Sequence, residues 1–159
     1  KGKGDKLKFE VRYEKLEIRG SDSELITENI EMFSNGLIKV NNLTGEFSLL
    51  GKNSKLINEN IIIIGESIEG VFSNNSNNKE ITFLNVFDSN LSYVKNDDSE
   101  MYAKKINYDD ETALIELIDD VAIIRDGEKI VGDYGTLDTK NNSYKIKSNN
   151  QKKVKILMT

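Results

Sequence analysis

The chain has 159 residues, 37% hydrophobic and 31% charged, which suits one domain with its own core and fits neither a disordered tail nor a membrane-spanning protein. His, Cys, Pro and Trp are all absent, which excludes Ser-His-Asp and Cys-His nucleophiles, structural zinc and disulfides together. A net charge of −5 argues against a general nucleic-acid binder, because such a protein needs a cationic face.

The charge is unevenly placed. From Thr139 to Thr159 there is no acidic residue, and Lys140, Lys145, Lys147, Lys152, Lys153 and Lys155 supply six positive charges. The remainder therefore carries −5 − 6 = −11. No apolar run is long enough to cross a bilayer as a helix. The opening Lys1-Gly2-Lys3-Gly4 reads equally as a stub left by a removed leader or as an arbitrary start.

In chain order, Leu7–Tyr13 and Lys15–Arg19 read as strands, since Leu16 and Ile18 alternate with Lys15, Glu17 and Arg19. Ser21-Asp22-Ser23-Glu24 has the form of a helix capping box, and Leu25, Ile26, Ile30 and Phe33 follow at helical spacing. The surrounding chain is strand-like, so the expectation for 21–33 is mostly strand. Ile61-Ile62-Ile63-Ile64 predicts a strand buried on both faces, or one that covers an apolar ligand on one of them.

Ser73–Lys79 reads as a long exposed turn. Tyr102, Ile106 and Tyr108 share one parity, as do Tyr144 and Ile146, and Val154 and Ile156. Turn signals punctuate these segments: Asn41-Asn42, Asn96-Asp97-Asp98, Asp109-Asp110, Asp119-Asp120, Asp126-Gly127, Asn141-Asn142 and Asn149-Asn150. Asp126-Gly127 between two apolar runs predicts a two-residue hairpin that pairs Arg125 with Glu128 and Ile123 with Ile130.

The carboxylate clusters coincide with these turns and match no calcium loop, and the glycines form no phosphate-cradling loop. The residues also allow two other functions: a structural or adhesive β-sandwich that pairs by its edges and binds no lipid, and a carboxylate-based glycosidase or lyase.

Read in order, Ile118–Lys140 followed by Tyr144-Lys145-Ile146-Lys147-Ser148 resembles the terminal repeat of the OstA-like periplasmic lipopolysaccharide-transport family. The family comprises LptA, LptC and the N-terminal domain of LptD. Tyr102–Asp109 is a weaker echo, and Leu43–Phe47 and Ile81–Val86 weaker still. The likeness runs from about Leu56 to the end, and the N-terminal third departs from it.

The resemblance implies an all-β chain: an antiparallel, V-shaped β-jelly-roll forming a single domain over residues 1–159. It implies no enzymatic activity, no cofactor and no metal. The location would be the periplasm, as an LptA-like bridge or, alternatively, an LptC-like component held to the inner membrane by a segment outside this chain. The partners implied are lipopolysaccharide, whose acyl chains would lie in a groove between two sheets, and other pathway proteins or a second copy, joined through terminal strand edges; nucleic acid is not among them.

Parity together with that groove makes Ile63, Phe83, Tyr102, Ile106, Tyr108, Ile115, Ile123 and Ile130 the candidate lipid-facing residues. Lys145, Lys147, Lys153 and Lys155 are the candidate edge residues. They read either as guards against indiscriminate pairing or as a handle for an acidic partner edge or lipid phosphates.

Overall fold

The computed structural model describes residues 1–73, 79–148 and 155–158. It contains fourteen antiparallel strands in one open sheet. In chain order these are β1 (Gly2–Lys3), β2 (Lys6–Glu10), β3 (Lys15–Arg19), β4 (Ser23–Ile26), β5 (Ile30–Ser34), β6 (Leu37–Asn41) and β7 (Glu46–Asn58). The rest are β8 (Ile61–Phe72), β9 (Ile81–Lys95), β10 (Ser99–Asp109), β11 (Leu114–Arg125), β12 (Glu128–Asp138), β13 (Ser143–Lys147) and β14 (Lys155–Met158). A single 3-10 turn, Val11–Tyr13, interrupts the described residues, and no helix among them is long and apolar enough to cross a membrane.

Six long strands, β7 to β12, make the frame, and each is bent near its middle. The register slips there, between Leu50 and Ser54, Ile64 and Ser67, Ala103 and Lys105, and Ile118 and Val121. Extra residues in one strand of a pair increase twist and bend it. The corner of β11 is built from Asp119 and Asp120, with φ of 63° and 53°, and that of β7 from Gly51 and Asn53, with φ of 138° and 59°. Asp and Asn tolerate this left-handed region where most side chains do not. The Asp119-Asp120 pair predicted as a chain reversal is therefore a corner inside a continuous strand. The other carboxylate clusters do lie at reversals: Asn96 accepts the N–H groups of Asp98 and Ser99, Asp109 accepts that of Glu111, and Asp126 opens the hairpin to Glu128.

The bends divide the sheet into two facing layers. The first holds β2, β3, β6, the 46–50 part of β7, the matching halves of β8 to β12, and β13. The second holds β1, β4, β5, the 54–58 part of β7, the other halves of β8 to β12, and β14. The result is the antiparallel jelly roll expected, with the layers joined along their corners and the sheet left unclosed.

Residues 21–33 form β4 and β5 rather than a helix. Pairing of Leu25 with Met32 places Ile30 and Met32 in the core, and Ser23 donates its hydroxyl to the Gly20 carbonyl. Tertiary burial at period two outweighs the local helical pattern. The Asp126-Gly127 hairpin forms with the predicted pairs, Asp126 and Gly127 having φ of 51° and 78°. The four-isoleucine run is not buried on both faces: Ile63 is buried between the layers, whereas Ile62 and Ile64 stand half-buried on the outer face, flanked by Ile57 and Lys95 and by Lys55 and Tyr93.

Candidate functional site: apolar rows between the layers

Pairing continues without a break from one end of the molecule to the other, so side chains on the inward face line up in rows across the strands. In the first layer one row reads Phe9, Leu16, Val40, Phe47, Gly70, Leu84, Tyr108, Ile115, Leu137, Tyr144. Its neighbour reads Leu7, Ile18, Ile38, Leu49, Ile68, Val86, Ile106, Leu117, Gly135, Ile146. In the second layer the row is Gly2, Leu25, Met32, Leu56, Ile63, Val94, Met101, Ile123, Ile130, Ile156. No charged residue interrupts any of them. At ~4.8 Å per strand, each row runs ~43 Å.

The rows change character along their length. In the middle, Ile38, Leu49, Leu56, Ile63, Ile68, Ile106, Leu117 and Ile123 are wholly buried, so the two layers close on one another there. At the ends they open. Leu7 is 53% exposed, Phe9 51% and Ile156 60%, and Leu16, Val40, Tyr144 and Ile146 are half-buried against the core. Apolar side chains held exposed on an inward face at both rims have a hydrophobic surface without a cover.

Glycine shapes this interior where rings need room. Phe47 lies across Gly70, where an added Cβ would meet its ring at 2.5 Å, and packs on Phe72 at a 4.4 Å centroid distance.

Of the predicted lipid-facing residues, the structure places Ile63, Ile106, Tyr108, Ile115, Ile123 and Ile130 on the inner face, all buried except the half-buried Tyr108. Phe83 and Tyr102 stand on the opposite face, which corrects their assignment. Phe83 is 41% exposed and pairs with Val71 and Asp109, while Leu84 points inward. Tyr102 pairs with Tyr93, the rings 5.0 Å apart, while Met101 and Ala103 point inward. The Tyr93 hydroxyl donates to Glu100 at 2.9 Å; burial and that bond push its pKa up to about 12. The rim residues Leu7, Phe9 and Ile156 are not among the predicted lipid-facing residues, although Ile156 shares a parity with Val154 and all three lie on edge strands.

One outward row of the first layer is polar by contrast, although Phe83, Phe87, Ile62 and Ile64 also stand on the outward face. That row crosses from Lys8 through Glu17, Lys39, Ser48, Glu69, Asn85, Asn107, Glu116 and Thr136 to Lys145. A trough of about 580 Å³ lies along it, lined among others by Lys8, Lys15, Lys39, Glu17, Glu46 and Glu69. Cations and carboxylates alternate there, so the trough has no single sign of charge. The candidate edge residues Lys145, Lys147 and Lys155 lie on the exposed or half-exposed outer side of β13 and β14, and Lys153 lies outside the described residues. Among the described residues no group of three or more acidic side chains is placed to hold a metal ion.

No family model matches the sequence, and no curated protein matches it. Solved structures do. The crystal structure of LptH from Pseudomonas aeruginosa superposes with a TM-score of 0.63 at 12% identity, over 82% of this chain and 94% of that one. LptH is the LptA-homologous periplasmic component of the lipopolysaccharide transport device of that organism. At that identity the likeness establishes architecture: this chain has the fold of the LptA-type, OstA-like jelly roll.

Proposed function

We propose that the protein is a lipopolysaccharide-carrying component of the LptA type, a periplasmic bridge that shields acyl chains between its layers and joins neighbours through its terminal strand edges. The observation that carries this is the set of uninterrupted apolar rows that run the length of the molecule and emerge, exposed, at both rims. A closed structural sandwich gains nothing from exposed Leu7, Phe9 and Ile156, whereas a conduit needs its apolar track to reach each end. The fold shared with LptH supports the same reading.

The closed middle and open rims set the energetics. Each buried methylene contributes ~0.8 kcal/mol, so burying two chains of about a dozen carbons approaches the ~20 kcal/mol ceiling of non-covalent affinity. A protein that hands its cargo on must bury less. Rims that cover a chain partly, next to a core that parts only on loading, meet that requirement. The role needs binding and shape, with no catalytic group.

Native mass spectrometry of the purified chain mixed with defined lipopolysaccharide tests this. A one-to-one adduct that survives dilution and is weakened by Phe9→Asp or Ile156→Asp is expected. Absence of any adduct, with the fold intact, sinks the lipid reading and leaves the edge-pairing sandwich.

A further inference from the structure

Three outward rows end in lysine at both edges, while the other outward positions there are Glu10 on β2, Ser143 on β13 and Leu157 on β14. The row beginning at Lys8 on β2 finishes at Lys145 on β13. Its neighbour begins at Lys6 and finishes at Lys147, and the outer row of the second layer begins at Lys3 and finishes at Lys155. The three inner rows end in apolar or glycine positions, so along these rows the two edges match one another inside and carry like charge outside.

We infer that the β13–β14 edge selects an acidic strand edge of a different protein and rejects a second copy of this chain. The inference rests on edge joining, as proposed above, and adds its rule of selection. Strand side chains alternate faces, so a register that keeps Tyr144 and Ile146 against Phe9 and Leu7 of a neighbour, and Ile156 against Gly2, keeps the lysines outward on both. Lys145 and Lys147 then meet Lys6 and Lys8, and Lys155 meets Lys3.

Like charges across a strand pair are destabilising, and opposite charges are stabilising. The charges near each lysine do not cancel the effect at β13–β14. The cross-strand neighbours of Lys145, Lys147 and Lys155 are Thr136, Tyr134 and Val131, and among the described residues none of the three lysines has a carboxylate partner. At β2, Lys8 pairs with Glu10 at 2.9 Å and Arg19 with Glu17, which leaves Lys6 without an ion-pair partner among the described residues. The chemistry that fits β13–β14 is a strand apolar at its inward positions and Asp or Glu at its outward ones.

Sedimentation velocity on the whole chain tests the rule, at about 0.01 M and about 1 M salt, where the screening length is ~30 Å and ~3 Å. The unmodified protein should be monomeric at low salt and associate more as salt rises. The variant K145E/K147E/K155E should self-associate about tenfold more tightly at low salt and come apart as salt rises. K6E/K8E should do the same from the other edge, and carrying both sets of changes should restore the monomer. Circular dichroism and melting verify that each variant is folded. If the unmodified chain assembles at low salt and K145E/K147E/K155E abolishes it, the charge rule is wrong while edge pairing stands. If no variant associates at any salt, edge pairing itself is wrong, and the rule falls with it.

Discussion

Truncating Ile123 to Ala separates a packed middle from an empty groove. Ile123 is wholly buried and stands between Met101 and Ile130 in the second-layer row. Removing its outer carbons costs their transfer free energy plus a cavity between two layers that close on each other, ~2–5 kcal/mol for such sites. In a domain of this size ~3 kcal/mol lowers the melting temperature by about 10 °C. Ile156 ends the same row at 60% exposure, so Ile156→Ala should cost less than ~0.5 kcal/mol. Urea unfolding followed by far-ultraviolet circular dichroism reads both, with unchanged slopes confirming that the denatured states are comparable. Equal, small losses at the two positions would mean that the interior around Ile123 is as open as the rim, and a packed middle would be wrong.

Other consequences concern single groups. Tyr93, held by burial and by Glu100, should ionise near pH 12, so a late step in the alkaline absorbance titration should vanish in Tyr93→Phe; its survival would reassign the step. Because the raised value favours the protonated form in the folded state, Tyr93's contribution is complete below about pH 10 and is lost as pH rises toward about 12. At the β11 corner, Asp119→Val should destabilise by ~1–2 kcal/mol while Asp119→Gly should not, since only the β-branched side chain is strained at φ 63°; equal costs would point to the carboxylate instead. At Gly132 an added Cβ would press on Ile146 and on the Lys147 carbonyl oxygen 2.8 Å away, so Gly132→Val should speed hydrogen exchange across Ser143–Lys147 specifically. Unchanged exchange there would show that β13 absorbs the clash in place.

The residues that announced their structure are those where one local rule acts alone. Asp126-Gly127 needs two left-handed residues between apolar runs, and the hairpin followed with its predicted pairs. The alternation of Leu16 and Ile18 put both on the inner face. What stayed hidden is the set of bulges. In β10 the inward residues are Met101 and Ala103 before the slip but Ile106 and Tyr108 after it, so parity counted back from Ile106 put Tyr102 on the wrong face. Phe83 failed differently: Phe83, Leu84, Val86 and Phe87 make both parities apolar, and only the pairing of Phe83 with Asp109 reveals which is outward. Asp119-Asp120 looked like a reversal because the residues that tolerate a hairpin turn also tolerate a strand corner. The rims were legible only as edges, since exposure depends on where the partner layer ends.

On the proposed function, acyl chains ride the inner rows and meet the protein first at its rims. Photo-crosslinking in the presence of lipopolysaccharide tests it most directly, with the reactive side chain placed in turn at Phe9, at Ile156 and at Glu69 on the outward face. Lipid capture is expected at Phe9 and Ile156 and none at Glu69. Capture at Glu69 equal to that at the rims, or at Glu69 alone, would contradict it.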